Sequence, residues 1–183
     1  REDSATLPVA VLQHHKDIYK YEDFTPSGLD RDYLPMVSKA LQNGAKLVLL
    51  PESIQLGALR LDDSRSPSRP EHRQVSVAAW KENISELLKD SGAMLVVGLD
   101  TIEHAREYNS MVAWTESGIE GWYHKRKLVP FAEYQPSGWG SLSARGSAQF
   151  NAGTGTNLFH RDGLTIGAFI CQEVLFPDIT REA

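Results

Sequence analysis

The sequence contains a single cysteine, Cys171, in a chain of 183 residues. One thiol cannot form an internal disulfide, so the cysteine count does not indicate a cellular compartment. Apolar runs such as KLVLL and AMLVVGL are also short, whereas a membrane-spanning helix needs about 20 apolar residues. The first residues, REDSATLPVAVLQ, lack both a starting Met and a signal-peptide pattern, so we expect this terminus to be an internal cut.

Positive charge is not in excess. The chain has 19 Lys and Arg against 24 Asp and Glu, which gives a net charge of −5 at pH 7. Surfaces that bind nucleic acids normally show a basic excess, so we expect no nucleic-acid partner. Hydrophobic residues make up 41% and charged residues 23%, which is typical of a globular domain. We therefore expect one domain over residues 1–183, with a sizeable core.

Several common catalytic and binding motifs are missing. There is no GxSxG serine elbow, no GxxxxGK[ST] or GxGxxG phosphate loop and no HExxH metal motif. A structural zinc site would normally need more than one cysteine. The sequence therefore predicts chemistry that uses neither a metal ion nor a cofactor.

The order of apolar segments predicts an α/β fold. Strand–helix alternation comes first and hairpins follow, which favours a mixed sheet with helices on one face and another layer on the other. The predicted strands are residues 7–13, 45–50 and 93–99, with hairpins over 108–123 and 157–170. The predicted helices run from a cap at Asp30 to about 43 and, after a loop over 62–73, to about 91. Residues 135–155 are predicted to form a second long loop.

Cys171 follows the run LTIGAFI, residues 164–170. This composition predicts a strand that is covered on both faces and ends at the cysteine. Open α/β sheets hold their reactive groups at strand ends, so Cys171 is a candidate nucleophile. A lone cysteine after an apolar run is also commonly a small buried hydrophobic residue, and Cys171 taken alone fits both interpretations.

Two charged residues are predicted at the ends of other strands. Glu52 follows LVLLP, and Lys125 follows the strand over residues 119–123. Taken alone, Glu52 could be a surface carboxylate and Lys125 part of a solvated basic triplet. Together with Cys171 they could perform acyl transfer. The carboxylate would accept the thiol proton, and the thiolate would add to an acyl carbonyl. The lysine and the backbone N–H of Gln172 would then stabilise the oxyanion.

The segments around these residues, LVLLPES, YHKRKLVPFAEYQP and IGAFICQEVLFPD, resemble the nitrilase or carbon–nitrogen hydrolase superfamily. LVPFAEYQP is similar to the LVPFGEY-x-P pattern of the apolipoprotein N-acyltransferase family. The resemblance implies an α/β fold built as a four-layer αββα sandwich. It also implies that Glu52 is the base, Lys125 the oxyanion lysine and Cys171 the nucleophile, with supporting roles for Glu133 and Glu173.

The sequence departs from the family pattern at three positions: Ala132 replaces Gly, Lys127 replaces His, and Gln172 replaces an aromatic residue. Gln172 lies beside the nucleophile, where a change of side chain affects how the substrate is handled. The chain ends at Ala183, shortly after Cys171, whereas the fold needs further strands and helices. We therefore expect the sandwich to be incomplete at its C-terminal side.

The resemblance implies an acyltransferase located at the cell membrane. A phospholipid would load its acyl chain onto Cys171 as a thioester, and the N-terminal amine of a lipoprotein would accept it. The membrane attachment would lie in segments absent from this chain, with the catalytic domain on the periplasmic or extracytoplasmic side. The loops over residues 56–73 and 135–155 are candidates for lipid contact through Trp139 and Phe150, although ordinary loop packing would explain these aromatics equally well.

Two alternatives remain open. A soluble, cytoplasmic amidase with the same three residues would use water to resolve the thioester. A nitrilase-like domain that only binds its ligand would carry no activity.

Overall fold

The structure is a computed structural model that describes residues 6–13, 32–52, 54, 57–67, 74–137, 149–155, 158–161 and 163–182. The strands in these ranges are β1 Val9–Val11, β2 Leu47–Leu49, β3 Ala58–Arg60, β4 Gln74–Ser76, β5 Met94–Glu103, β6 Arg106–Thr115, β7 Gly118–His124, β8 Leu158–Arg161 and β9 Leu164–Gly167. The helices are α1 Leu34–Gln42, α2 Val77–Leu88 and α3 Pro177–Glu182, with a 3-10 helix over Cys171–Leu175. The predicted cap at Asp30 lies outside the described residues.

Seven strands form one mixed sheet centred on β5. The order β1-β2-β5-β3-β4 is parallel throughout, and β6 joins β5 in an antiparallel pair that continues to β7. The first half of β5 pairs with β2 and its second half with β3, while β6 runs along its other edge. The predicted α/β class and mixed sheet are confirmed.

The two faces of this sheet are covered by different layers. Side chains alternate across a strand, so Leu95 and Val97 of β5 face one way while Met94 and Val96 face the other. The first face packs against helices α1 and α2, and the second packs against the antiparallel β8–β9 hairpin. The described residues therefore form a helix layer, the main sheet and part of a second β layer. The predicted different cover on each face is confirmed.

Helix α2 covers the face of the sheet that holds Leu95 and Val97. Trp80, Ile84 and Leu88 recur every four residues and are all buried, which gives the helix one apolar stripe. The Ser76 side chain accepts a hydrogen bond from the backbone N–H of Ala79 at 3.3 Å and caps the N-terminus. Among the described residues, no helix is both long enough and apolar enough to cross a membrane.

One predicted lipid-contact loop is partly a buried strand. Within residues 56–73, strand β3 pairs with β5, and both Ala58 and Leu59 are fully buried. Short strands of three residues carry too little periodicity for sequence patterns to detect. The lipid-contact prediction was therefore wrong for the β3 part of this segment.

The predicted strand before Cys171 is also shorter than expected. Strand β9 ends at Gly167, and it belongs to a two-stranded sheet instead of the main one. Leu164 and Phe169 are exposed while Ile170 is buried, so the segment is covered on one side only. The prediction of a strand buried on both faces was wrong, because a glycine-containing hairpin lying on a larger sheet can be as apolar as a central strand.

Gly98 allows the chain around Glu52 to approach β5. A Cβ atom at this position would lie 2.6 Å from the Cα of Glu52. We expect Gly98→Ala to push this segment away and to lower the free energy of unfolding by about 1–3 kcal/mol, as overpacking does. Urea denaturation measures this change.

Gly121→Ala is the matched control, because its Cβ would meet only the ring of Phe159 at 3.4 Å. Equal stability losses in the two variants would contradict the proposed close approach.

Candidate active site

Lys125 lies at the centre of a buried charged cluster. It follows β7 directly, and its backbone N–H donates to the carbonyl of Asn109 at 2.8 Å. Its side chain is 1% exposed, and its Nζ lies 2.9 Å from Oε1 of Glu133 and 3.6 Å from Oε1 of Glu52. A buried ammonium is tolerated only with such partners, so the two carboxylates are what keep this cation inside the protein.

The charge state of Lys125 follows from these contacts. Burial alone lowers the pKa of a lysine, but here the hydrogen bond to Glu133 and the charges of Glu52, Glu133 and Cys171 outweigh it. The pKa of Lys125 is therefore raised above its ordinary value. The side chain remains a cation at neutral pH and can stabilise negative charge.

Glu133 is held by the tight segment in which it lies. Its Oε2 accepts a hydrogen bond from the backbone N–H of Val129 at 2.7 Å, and its own N–H donates to the Val129 carbonyl at 2.9 Å. Phe131 adopts a φ of +64° within this turn, a left-handed conformation that is rare outside glycine. The turn directs one carboxylate oxygen toward Lys125 and keeps the other on its own backbone.

Glu52 is the more accessible of the two carboxylates. It lies three residues beyond the end of β2, near the predicted strand end, and its side chain is 36% exposed. It lines a cavity of about 120 Å³ together with Cys171, Phe169 and Ile170. The structure therefore places a carboxylate and the only thiol of the sequence on the same small cavity.

Cys171 is exposed at the first position of the 3-10 helix. The interpretation of this residue as a buried hydrophobe is therefore wrong. Its φ of +55° is left-handed, which costs free energy for a non-glycine residue and is found preferentially at functional sites. Three residues separate it from β9, so the thiol stands on a sharp turn instead of a strand end.

Glu173 connects the two backbone segments that carry Lys125 and Cys171. It is fully buried, and its Oε1 accepts hydrogen bonds from the backbone N–H groups of Arg126 at 2.6 Å and Lys127 at 3.1 Å. Its Oε2 accepts from the N–H of Ile170 at 2.7 Å. One carboxylate therefore fixes the residues after Lys125 relative to the residue before Cys171.

Tyr123 and Gln172 reinforce this connection. The Tyr123 hydroxyl donates to Glu173 at 2.9 Å, and burial together with this carboxylate raises the pKa of Tyr123. The Gln172 side chain donates from Nε2 to the carbonyl of Lys127 at 3.2 Å. The position that is aromatic in the resembled family is thus used here for a hydrogen bond between the same two segments.

Asn109 of β6 was not predicted from the sequence. Its Nδ2 donates to Oε1 of Glu52 at 2.5 Å and to Oε1 of Glu133 at 2.8 Å. The residue is only 2% exposed. The available signal was a polar side chain at an inward-facing strand position, two residues before Met111, where an apolar residue is normal.

Residues 149–155 lie along the cluster. The N–H of Phe150 donates to the Glu133 carbonyl, and the N–H of Gly153 donates to the Lys125 carbonyl, both at 2.8 Å. The lipid contact through Phe150 stays a prediction, and Trp139 lies outside the described residues. Within the described ranges, no group of three His, Cys, Asp or Glu side chains could hold a metal ion.

The mixed sheet, its hairpin layer and the grouping of glutamate, lysine and cysteine define a protein of the nitrilase class. Residues 9–183 match the carbon-nitrogen hydrolase family. The chain belongs to this family, which confirms the resemblance found in the sequence.

Among its relatives are two proteins named apolipoprotein N-acyltransferase. That of Aquifex aeolicus is 27% identical over 155 residues, covering 80% of this chain and 30% of the relative. That of Caulobacter vibrioides is 38% identical over 106 residues, covering 49% of this chain and 20% of the relative. The matched segments therefore span less than a third of these relatives' own length.

Solved structures share the fold. An amidase from Nesterenkonia sp. superimposes with a TM-score of 0.64 at 20% identity, covering 97% of this chain and 60% of the amidase chain. A glutamine-dependent NAD+ synthetase from Acinetobacter baumannii gives a TM-score of 0.55 at 17% identity, covering 81% of this chain and 25% of the other. These similarities establish the nitrilase-type α/β fold.

We expect Glu173→Gln to destabilise the protein by about 1–3 kcal/mol, because the amide cannot accept at both oxygen positions and leaves a buried donor unpaired. Urea denaturation gives the free energy of unfolding. Glu182→Gln is the control, since Glu182 forms a half-exposed ion pair with Arg126 and such pairs contribute little. A Glu173→Gln variant as stable as Glu182→Gln would refute the connecting role of Glu173.

Proposed function

We propose that this chain is the catalytic part of an acyltransferase of the apolipoprotein N-acyltransferase type. The observation that carries the proposal is the exposed, left-handed Cys171, which shares a cavity with Glu52 beside the buried Lys125 cation. The relatives with this chemistry in their names support the acyltransferase assignment. Residues 1–183 would form the N-terminal part of a nitrilase-like catalytic domain.

In this mechanism Glu52 acts as the general base. It is the better candidate of the two carboxylates, because Glu133 has both oxygens in hydrogen bonds and a side chain only 12% exposed. Glu52 accepts the Cys171 proton while the sulfur attacks the ester carbonyl of the acyl donor. The proton then passes from Glu52 to the departing alkoxide, and an acyl thioester remains on Cys171.

Lys125 and the backbone of Gln172 stabilise the tetrahedral intermediate. The Lys125 ammonium is fixed and already dehydrated, so little reorganisation is needed when negative charge develops on the carbonyl oxygen. The second half-reaction reverses the roles: Glu52 removes a proton from an amine, the nitrogen attacks the thioester, and the thiol of Cys171 is restored. No metal ion or cofactor takes part.

The proposed substrates follow from the relatives. The acyl donor would be a phospholipid and the acceptor the N-terminal amine of a lipoprotein, with no nucleic-acid partner. The protein would be anchored at the cell membrane by segments outside this chain, with this domain on the periplasmic or extracytoplasmic side. Exposed apolar side chains near the thiol, Phe169, Val174 and Leu175, are compatible with an acyl chain.

An amidase is the second candidate. Nearly all of this chain superimposes on the Nesterenkonia amidase. One variant of that amidase carries acrylamide added at its active-site cysteine. With the same three residues, water in place of the amine would resolve the thioester. The enzyme would then be cytoplasmic, and the acceptor amine would not be needed.

The acyl-enzyme distinguishes these functions. We expect the full-length protein, incubated with phospholipid vesicles, to gain the mass of one acyl chain on the peptide containing Cys171. Cys171→Ala should lose the adduct without unfolding, because the side chain is exposed. Cys171→Ser should lose turnover, because a hydroxyl is far less ionised than a thiol at neutral pH.

An adduct from small amides but not from phospholipid would favour the amidase. No adduct from either substrate would contradict both enzymes and leave a domain that only binds its ligand.

Removing the Lys125 charge should slow acylation. We expect Lys125→Ala to reduce the rate of thioester formation by about 10²–10³-fold, the effect of losing one oxyanion donor. Single-turnover kinetics followed by mass spectrometry measure this rate, and circular dichroism confirms that the variant is folded. A wild-type rate in the folded variant would remove Lys125 from the mechanism.

A further inference from the structure

Asn109 contacts both carboxylates that surround Lys125. Its Nδ2 lies 2.5 Å from Oε1 of Glu52 and 2.8 Å from Oε1 of Glu133. Lys125 Nζ approaches the same two oxygens, at 3.6 Å and 2.9 Å. The two glutamates are therefore joined by one neutral and one cationic donor, and both N–H bonds of the Asn109 amide are used.

The orientation of the Asn109 amide follows from its neighbours. Two carboxylate oxygens can only accept hydrogen bonds, so the NH₂ group must face them and Oδ1 must point away. Oδ1 is buried and has no hydrogen-bond partner among the described residues. The two hydrogen bonds from Nδ2 to the carboxylates are therefore made together with one unpaired buried acceptor, which costs stability.

The contact also decides which oxygen of Glu52 is available. Within the described part of the chain, the partners of Glu52 are Asn109 and Lys125, and both contact Oε1. The Glu52 side chain is partly exposed and lines the cavity that also contains Cys171. Fixing Oε1 on the β6 side leaves Oε2 as the oxygen that can take a proton in the cavity.

We propose that Asn109 is a positioning residue that holds the general base Glu52 by Oε1 and leaves Oε2 free for the Cys171 proton. This inference rests on the proposed function, since it needs Glu52 to be the base. Asn109 does not touch the reacting atoms. It acts by restricting the rotation of the Glu52 carboxylate.

The shortest contact of the Glu52 carboxylate is the one with Asn109. The Asn109 amide lies 2.5 Å from Oε1, whereas the Lys125 ammonium lies 3.6 Å from the same oxygen. The His124 ring bonds Ser110 and Glu103 on the opposite face of the sheet. Without the Asn109 donor, the carboxylate of Glu52 is therefore less restricted in its rotation.

The test is steady-state kinetics of the full-length protein, with phospholipid as donor and an amine acceptor. We expect Asn109→Ala to lower kcat by about 10²-fold, as a misplaced catalytic group does, with little change in KM. Asn109→Asp keeps the shape of the side chain but places a carboxylate against Glu52 and Glu133, so its kcat should fall at least as far.

Asn151→Ala is the matched control. Its Nδ2 donates to the carbonyl of Glu107 at 3.2 Å, so this variant loses a similar amide hydrogen bond in a neighbouring segment. It should keep the wild-type kcat and KM. An unchanged kcat in folded Asn109→Ala, or the same loss of kcat in Asn151→Ala, would overturn the positioning role. Turnover retained in Cys171→Ala would instead refute the proposed function, and this inference with it.

Discussion

The ion cluster around the Lys125 ammonium is the constraint on which the site depends. A lysine with 1% of its side chain exposed must have partners, and Glu133 and Glu52 provide them from two separate segments of the chain. These contacts therefore fix the segments that carry Glu52 and Glu133 relative to Lys125. The same contacts keep the pKa of Lys125 high, so the cation that stabilises the fold locally is also the one available to an oxyanion.

A second carboxylate fixes the remaining geometry. Among the described residues Glu173 has no ion-pair partner, and it accepts hydrogen bonds from backbone N–H groups on both sides of the site, after Lys125 and before Cys171. These charge-assisted hydrogen bonds act directly on backbone groups, whereas the ion pairs of Lys125 act through side chains. The left-handed turn at Cys171 can persist because this network holds its neighbours in place. The main sheet supplies the rigid support, since Asn109 lies on β6 and Lys125 directly follows the adjacent strand β7.

The sequence predicts the parts of this structure that depend on local pattern. Residues 93–99 are a continuous apolar run and residues 108–123 contain a turn at 116–118 between two apolar segments, and the structure contains β5, β6 and β7 there. Motifs located Glu52, Lys125, Glu133, Gln172, Glu173 and Cys171, and the structure brings these residues around one site. Asn109 was not predicted because its partners, Glu52 and Glu133, are 57 and 24 residues away in the sequence. No local pattern indicates which inward-facing polar residue will contact a carboxylate. The exposure of Cys171 also depends on a turn that apolar composition does not reveal.

The central claim is that Lys125 and Glu133 stabilise each other inside the protein and thereby organise the site. A double-mutant cycle with Lys125→Met and Glu133→Gln, followed by urea denaturation, measures this directly. We expect the two single losses of unfolding free energy to sum to more than the loss in the double variant. The difference, which is the coupling energy, should be about 1–3 kcal/mol. If the two losses add to within about 0.5 kcal/mol, the residues are independent and the cluster does not hold the site together.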